Sequence, residues 1–212
     1  MIRLYDYILS ADCYKVRLLC ALLGVAYTPV KVNVHPGNEH LSPEFARINP
    51  RRSIPVLEDG EQRICDTYAI LIHLARRHDP SGHWLPKDED TFDRTMEWLG
   101  FSAKELDLLQ ALRMRSITAA GEPSPEELAT AHAYLTIVED HLAEGELTGR
   151  LWLASQVPTI ADIAVFAPTA LAADGSVSLD RYPALWRWID RVKRLDRFIV
   201  MPGVFPNLAG AV

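Results

Sequence analysis

The chain has 212 residues, 49% of them hydrophobic, enough for a buried core and far from the composition of a disordered chain. Its formal net charge of −6 argues against nucleic acid as a partner, since phosphate binding needs clustered Lys and Arg. No stretch approaches the roughly 18 apolar residues of a membrane span, the segment Met1–Tyr7 lacks the apolar region of a signal peptide, and Cys13, Cys20 and Cys65 show no metal-ligand spacing. A cytoplasmic protein with reduced thiols and no metal is expected.

The N-terminal part alternates between strand and helix signals. Ile2–Tyr7 reads as a strand, and Lys15–Gly24 as a helix, with Val16, Leu19, Leu22 and Leu23 at helical spacing and Gly24 as its stop. Tyr27–Val34 reads as a second strand, ended by Pro36-Gly37. Ser42 and Pro43 mark a short helix entry as cap and first helical residue. Asp59-Gly60 is a hairpin turn between two short apolar runs, and Asp66 precedes a helix over Thr67–His78.

Asp79-Pro80-Ser81-Gly82 is a linker, and no convincing strand follows it. Helices are expected over Phe92–Arg115, Pro125–His141, Thr159–Ala173 and Pro183–Leu195. The expected architecture is therefore an α/β domain over residues 1–80 followed by an all-helical domain over 88–212.

Three local features make this order specific. The first is Asn49-Pro50-Arg51-Arg52-Ser53-Ile54-Pro55-Val56-Leu57-Glu58-Asp59-Gly60, where a proline in a strand-like run is anomalous for a central strand. A cis peptide would explain it by exposing the backbone of the preceding residue. The second is Asp66-Thr67 ahead of the apolar run Tyr68-Ala69-Ile70-Leu71; a helix start offers free N–H groups to a carboxylate. The third is Thr159-Ile160-Ala161-Asp162, a capping box opening an apolar helix.

Together with Tyr182-Pro183-Ala184-Leu185-Trp186-Arg187-Trp188, these segments resemble the cytosolic glutathione transferase family over nearly the whole chain. The resemblance implies a thioredoxin-like glutathione-binding domain, then a helical bundle carrying the electrophile site, and usually a homodimer. It assigns the backbone of Ile54, beside Pro55, to the cysteinyl unit of glutathione. Asp66 and Thr67 fall to the γ-glutamyl ammonium and carboxylate; a plain helix cap is the alternative for Asp66, which its place one strand after Pro55 disfavours. Arg52 and Ser53 stand where many relatives have Gly-Gln; Arg52 either brings a cation to the glycyl carboxylate or is solvated. His40 either faces the glycyl end or is a surface-loop histidine. The capping box is a folding element with no chemistry.

Free glutathione resembles free cysteine, with a thiol pKa of about 8.5, so a transferase must favour the thiolate. Lowering it by about two units takes roughly 2.7 kcal/mol, within reach of a hydroxyl donor plus a helix N-terminus. The candidates lie between the first strand and the first helix: Tyr5, Tyr7, Ser10 and Cys13. Ser10-Ala11-Asp12-Cys13-Tyr14-Lys15-Val16-Arg17 resembles the serine-type classes, theta and zeta among them, and Ser10 matches their thiolate-binding serine. Cys13 is the main rival, since a cysteine in the first turn of a helix can form a mixed disulfide with glutathione. Of Tyr5 and Tyr7, at most one is expected at the site and the other in the core. Asp12 opposes thiolate formation, so it is expected to cap the first helix and point away. Trp98, Phe101, Leu108 and Arg113 are candidate walls of the electrophile site. The leading reading is attack by bound glutathione thiolate on a small hydrophobic electrophile. A thiol–disulfide oxidoreductase using Cys13, a noncatalytic glutathione-binding module and a zeta-type isomerase are the alternatives.

Overall fold

The computed structural model describes residues 1–204, so residues 205–212 of the expected helical domain lie outside the described residues. Four strands, β1 (Ile2–Asp6), β2 (Thr28–Lys31), β3 (Val56–Asp59) and β4 (Gln62–Ile64), form one sheet in the order β2-β1-β3-β4. β1 runs parallel to β2 and antiparallel to β3, and β3 pairs antiparallel with β4 across Gly60, whose φ of 63° suits the tight turn. The helices of this half are α1 (Ala11–Leu23), α2 (Pro43–Ile48) and α3 (Thr67–His78).

Strand alternation divides the core. Ile2, Leu4 and Leu57 turn to the face covered by α1 and α3, and Tyr5 and Val56 turn to the opposite face, where Val32 and Phe45 close a smaller cluster. β1 ends at Asp6, and this separates two tyrosines that a longer strand would keep on one face. Tyr5 packs edge-on against Phe45, whereas Tyr7 leaves the sheet.

The second half is helical: α4 (Glu89–Lys104), α5 (Asp107–Ile117), α6 (Pro125–Leu147), α7 (Ile160–Ala170) and α8 (Pro183–Lys193). α7 is buried almost all round and packs on α1 and α4, so it joins the two halves. Its capping box is present, and the fully buried Asp162 accepts from the Thr159 and Leu153 N–H groups at 2.9 and 3.1 Å and from the Trp188 indole at 2.9 Å. Burial pushes this carboxyl up, and those donors work against the rise.

Three expectations need correction. The first helix starts at Ala11, four residues early, with Ser10 as its cap. The second strand is only Thr28–Lys31. The single helix expected over Phe92–Arg115 is two, broken at Glu105-Leu106, where the Leu106 N–H reaches back to the Phe101 carbonyl at 3.3 Å. This one wide turn, with Leu106 fully buried, brings α5 against the β1–α1 connection and the start of α1.

Candidate active site

The β1–α1 connection, the Ile54-Pro55 turn, the start of α3 and the first turns of α5 meet around a cleft with two lobes. The larger lobe, about 260 Å³, is bounded by Tyr7, Ser10, Val34, Ala111 and Met114. The smaller, about 150 Å³, is bounded by Arg51, Ser53, Pro55, Cys65, Asp66 and Thr67. Asp12, Ile54, Asp107 and Gln110 line both.

Ser10 caps α1. Its Oγ accepts from the Cys13 N–H at 3.2 Å, and its own N–H closes a turn onto the Tyr7 carbonyl at 3.0 Å. Used as an acceptor, the hydroxyl keeps its proton to donate. The Ile54-Pro55 peptide is cis, and the loop before it is tied by the fully buried Asn49, whose amide donates to the Ser53 carbonyl at 2.7 Å and the Ser53 Oγ at 3.1 Å. Asp66 caps α3 through Ala69 N–H at 2.9 Å; its other oxygen stands 3.8 Å from the Arg51 guanidinium. The N–H groups of Thr67 and Tyr68 precede the helix's own hydrogen-bond ladder.

The comparisons with known proteins decide the family. The model for the glutathione S-transferase N-terminal domain matches residues 4–82, and that for the C-terminal domain residues 121–191. A glutathione S-transferase theta-1 from Bos taurus is 30% identical over 167 residues, covering 76% of this chain and 69% of that protein. The chain belongs to the glutathione S-transferase family. A theta-1 relative from Mus musculus is 27% identical and covers 91% of this chain and 82% of its own. Among solved structures, a possible glutathione S-transferase from Rhodopseudomonas palustris superposes with a TM-score of 0.82 at 28% identity, covering 94% of this chain and 97% of that one. The sheet and helices described above are thus the thioredoxin-like and helical domains of a glutathione S-transferase.

Several candidates stand elsewhere in this glutathione S-transferase than the sequence suggested. Trp98 and Phe101 line neither lobe; Trp98 packs edge-on with Phe101 and with His141, and Phe101 packs with Tyr134, because α4 turns its aromatic face toward α6. Leu108 also packs against the core, outside both lobes. Arg113 reaches the wall of the larger lobe, but its nitrogens are engaged by Asp174 and by the Leu9 and Pro202 carbonyls. His40 sits on a short 3₁₀ turn, Glu39–Leu41, away from both lobes. Arg52 is exposed, at a φ of 53°; the cation at the smaller lobe is Arg51.

Cys13 is fully buried, and burial pushes its thiol up, the reverse of a reactive first-turn cysteine. Cys65 borders the smaller lobe, with its thiol also pushed up by burial.

Asp12 neither caps α1 nor points away. It lines the cleft and accepts from the fully buried Lys15 Nζ at 2.8 Å. Lys15 also donates to the Tyr68 hydroxyl at 3.1 Å, which donates to Ser102, which donates to the Ala164 carbonyl, so a polar chain runs from the cleft to α7. Sequence reasoning missed Asp107, Gln110, Ala111 and Met114 because they reach the cleft only through the α4–α5 break. Partial desolvation, then the neighbouring Asp12, pushes the Asp107 carboxyl up.

Proposed function

We propose that this protein joins the thiolate of glutathione to a small hydrophobic electrophile, with Ser10 as the thiolate donor. The observation that carries the reading is the position of the Ser10 hydroxyl: it caps α1 on the cleft that also holds the cis Ile54-Pro55 turn and the start of α3. The tripeptide takes the smaller lobe. Its γ-glutamyl carboxylate meets the Thr67 hydroxyl and the first N–H groups of α3, while Asp66, through the oxygen its cap leaves over, faces the ammonium. The cysteinyl backbone pairs with Ile54, next to Pro55, and Ser53 borders the same lobe. The sulfur then lies where the lobes meet, toward Ser10.

There the Ser10 hydroxyl donates to the sulfur and the start of α1 adds its positive end, and both favour thiolate over thiol against the Asp12 carboxylate, whose charge Lys15 offsets. Two units of pKa amount to roughly 2.7 kcal/mol. The thiolate forms the new C–S bond at the electrophilic carbon, and the leaving group departs with the bonding electron pair. Val34, Ile54, Ala111 and Met114 give that carbon an apolar wall, and the Asp12 and Asp107 carboxylates disfavour an anionic electrophile. We read the division between the domains as falling over residues 80–88, and the protein as a cytoplasmic homodimer. The Cys13 oxidoreductase is disfavoured by the burial of that thiol. The test is conjugation of glutathione to an activated aryl halide: the protein accelerates it and Ser10→Ala removes most of the rate. No acceleration by the purified protein sinks the reading.

A further inference from the structure

Residues 7–10 carry the chain from β1 into α1, and the three carbonyls ahead of Ser10 all accept hydrogen bonds from guanidinium groups. Arg17 of α1 donates to the Tyr7 carbonyl at 3.3 Å and to the Ile8 carbonyl at 3.1 Å, and pairs with the Asp6 carboxylate. Arg113 of α5 donates to the Leu9 carbonyl, to Asp174 at 3.0 Å and to the Pro202 carbonyl at 3.1 Å. Arg17 is 6% exposed and Arg113 is 2% exposed, so both forks are held rigidly and out of water. Burying a guanidinium is costly, and Asp6 and Asp174 offset that cost one for each arginine. A buried planar fork fixes several acceptors in one geometry, which a lysine ammonium cannot do.

The two arginines come from different domains and meet on the four residues that end in the serine. We propose that Arg17 and Arg113 are positioning residues that hold the Tyr7–Leu9 turn from both domains and thereby set where the Ser10 hydroxyl stands. This rests on the Ser10 reading above. Arg113 therefore contributes to the reaction through Ser10 and not as a wall of the electrophile site. Because it also holds Asp174 and Pro202, packing around residues 171–204 reaches the serine through one side chain.

The experiment uses the full chain with glutathione bound, in wild type, Ser10→Ala, Arg113→Lys, Arg113→Met and Asp174→Ala. Asp174 is 38% exposed, so its variant guards against misfolding of the arginine variants. Two readouts are taken: the pH titration of the bound thiolate's ultraviolet absorbance, and amide hydrogen exchange of the peptide over residues 7–13. Both Arg113 variants are expected to raise the bound thiol by about one unit, to lower kcat about tenfold below that value, and to leave the glutathione KM nearly unchanged. Exchange over 7–13 is expected to quicken in both variants while α6 keeps its protection, with Asp174→Ala changing both readouts in the same direction by less.

An unchanged thiol titration in the folded variants overturns the proposal, as does faster exchange without a thiol change. Retention by Arg113→Lys with loss in Arg113→Met also overturns it, because the charge alone would then suffice. Failure of the underlying reading looks different: wild type and Ser10→Ala would then titrate alike.

Discussion

Removing Asp12 should damage this protein far more than removing its partner Lys15, although both changes break one ion pair. The Lys15 side chain is fully buried and its ammonium donates to the Asp12 carboxylate at 2.8 Å and to the Tyr68 hydroxyl at 3.1 Å. Asp12→Ala removes the carboxylate in contact with that buried charge and leaves it the weaker pull of Asp107, a change that costs about 3–5 kcal/mol for a buried pair. For a chain of this size that is a Tm fall of roughly 6–20 °C. Lys15→Met instead leaves Asp12, which is 31% exposed and can rehydrate, while the methionine refills the stem. Its cost should be nearer the surface-pair value of about 1 kcal/mol, or less than about 4 °C.

Burial alone pushes Lys15 down, but Asp12 and Tyr68 outweigh it and hold its pKa above the ordinary value. The stability this gives is therefore complete below the ordinary lysine value, about 10.4, and is lost as pH rises through the folded one. Without Asp12 the burial effect dominates. The unfolded chain then binds more protons than the folded one, so the Asp12→Ala defect shrinks as pH rises toward 10, roughly. Thermal unfolding at one fixed protein concentration, at neutral pH and near pH 9, roughly, reads all of this, with the double variant expected close to Lys15→Met. Equal losses in the two single variants, or a double variant showing their sum, would refute the reasoning.

Other consequences are simpler. In the native protein at neutral pH, Cys13 should resist a thiol reagent, and Cys13→Ser should keep conjugation within about twofold of wild type; a rapid reaction at Cys13 or a dead variant would revive the redox alternative. Trp98→Ala should cost about 3–5 kcal/mol in urea unfolding without changing the glutathione KM of the folded enzyme, since its contacts are to Phe101 and His141. Arg51→Ala should raise the glutathione KM severalfold while Arg52→Ala leaves it alone, as steady-state kinetics at subsaturating glutathione would show.

The features most legible in the sequence are those fixed by local chemistry. α3 spans Thr67–His78 as its Asp66 cap predicts, the Asp59-Gly60 pair makes the β3–β4 hairpin, and Thr159 and Asp162 form their capping box. Each is encoded within a few residues by side chain to backbone hydrogen bonding. Features set by packing between distant segments were not legible. Ala11, Cys13, Tyr14 and Lys15 are all buried, so the first turn of α1 shows no one-sided pattern to mark its start. The α4–α5 break carries neither glycine nor proline, so nothing local announces that Asp107, Gln110 and Met114 turn into the cleft while Trp98 and Phe101 stay in the core. Arg113 lies in a helix, and its three partners are Leu9, Asp174 and Pro202, far from it in sequence.

The central claim is that the Ser10 hydroxyl stabilises the thiolate of bound glutathione. Its most direct test is a pH titration of the thiolate absorbance in the protein–glutathione complex. The account predicts a thiol well below the free value of about 8.5 in wild type and a return toward that value in Ser10→Ala, with glutathione still bound. An unshifted thiol in wild type, or a shift that survives Ser10→Ala, would contradict it.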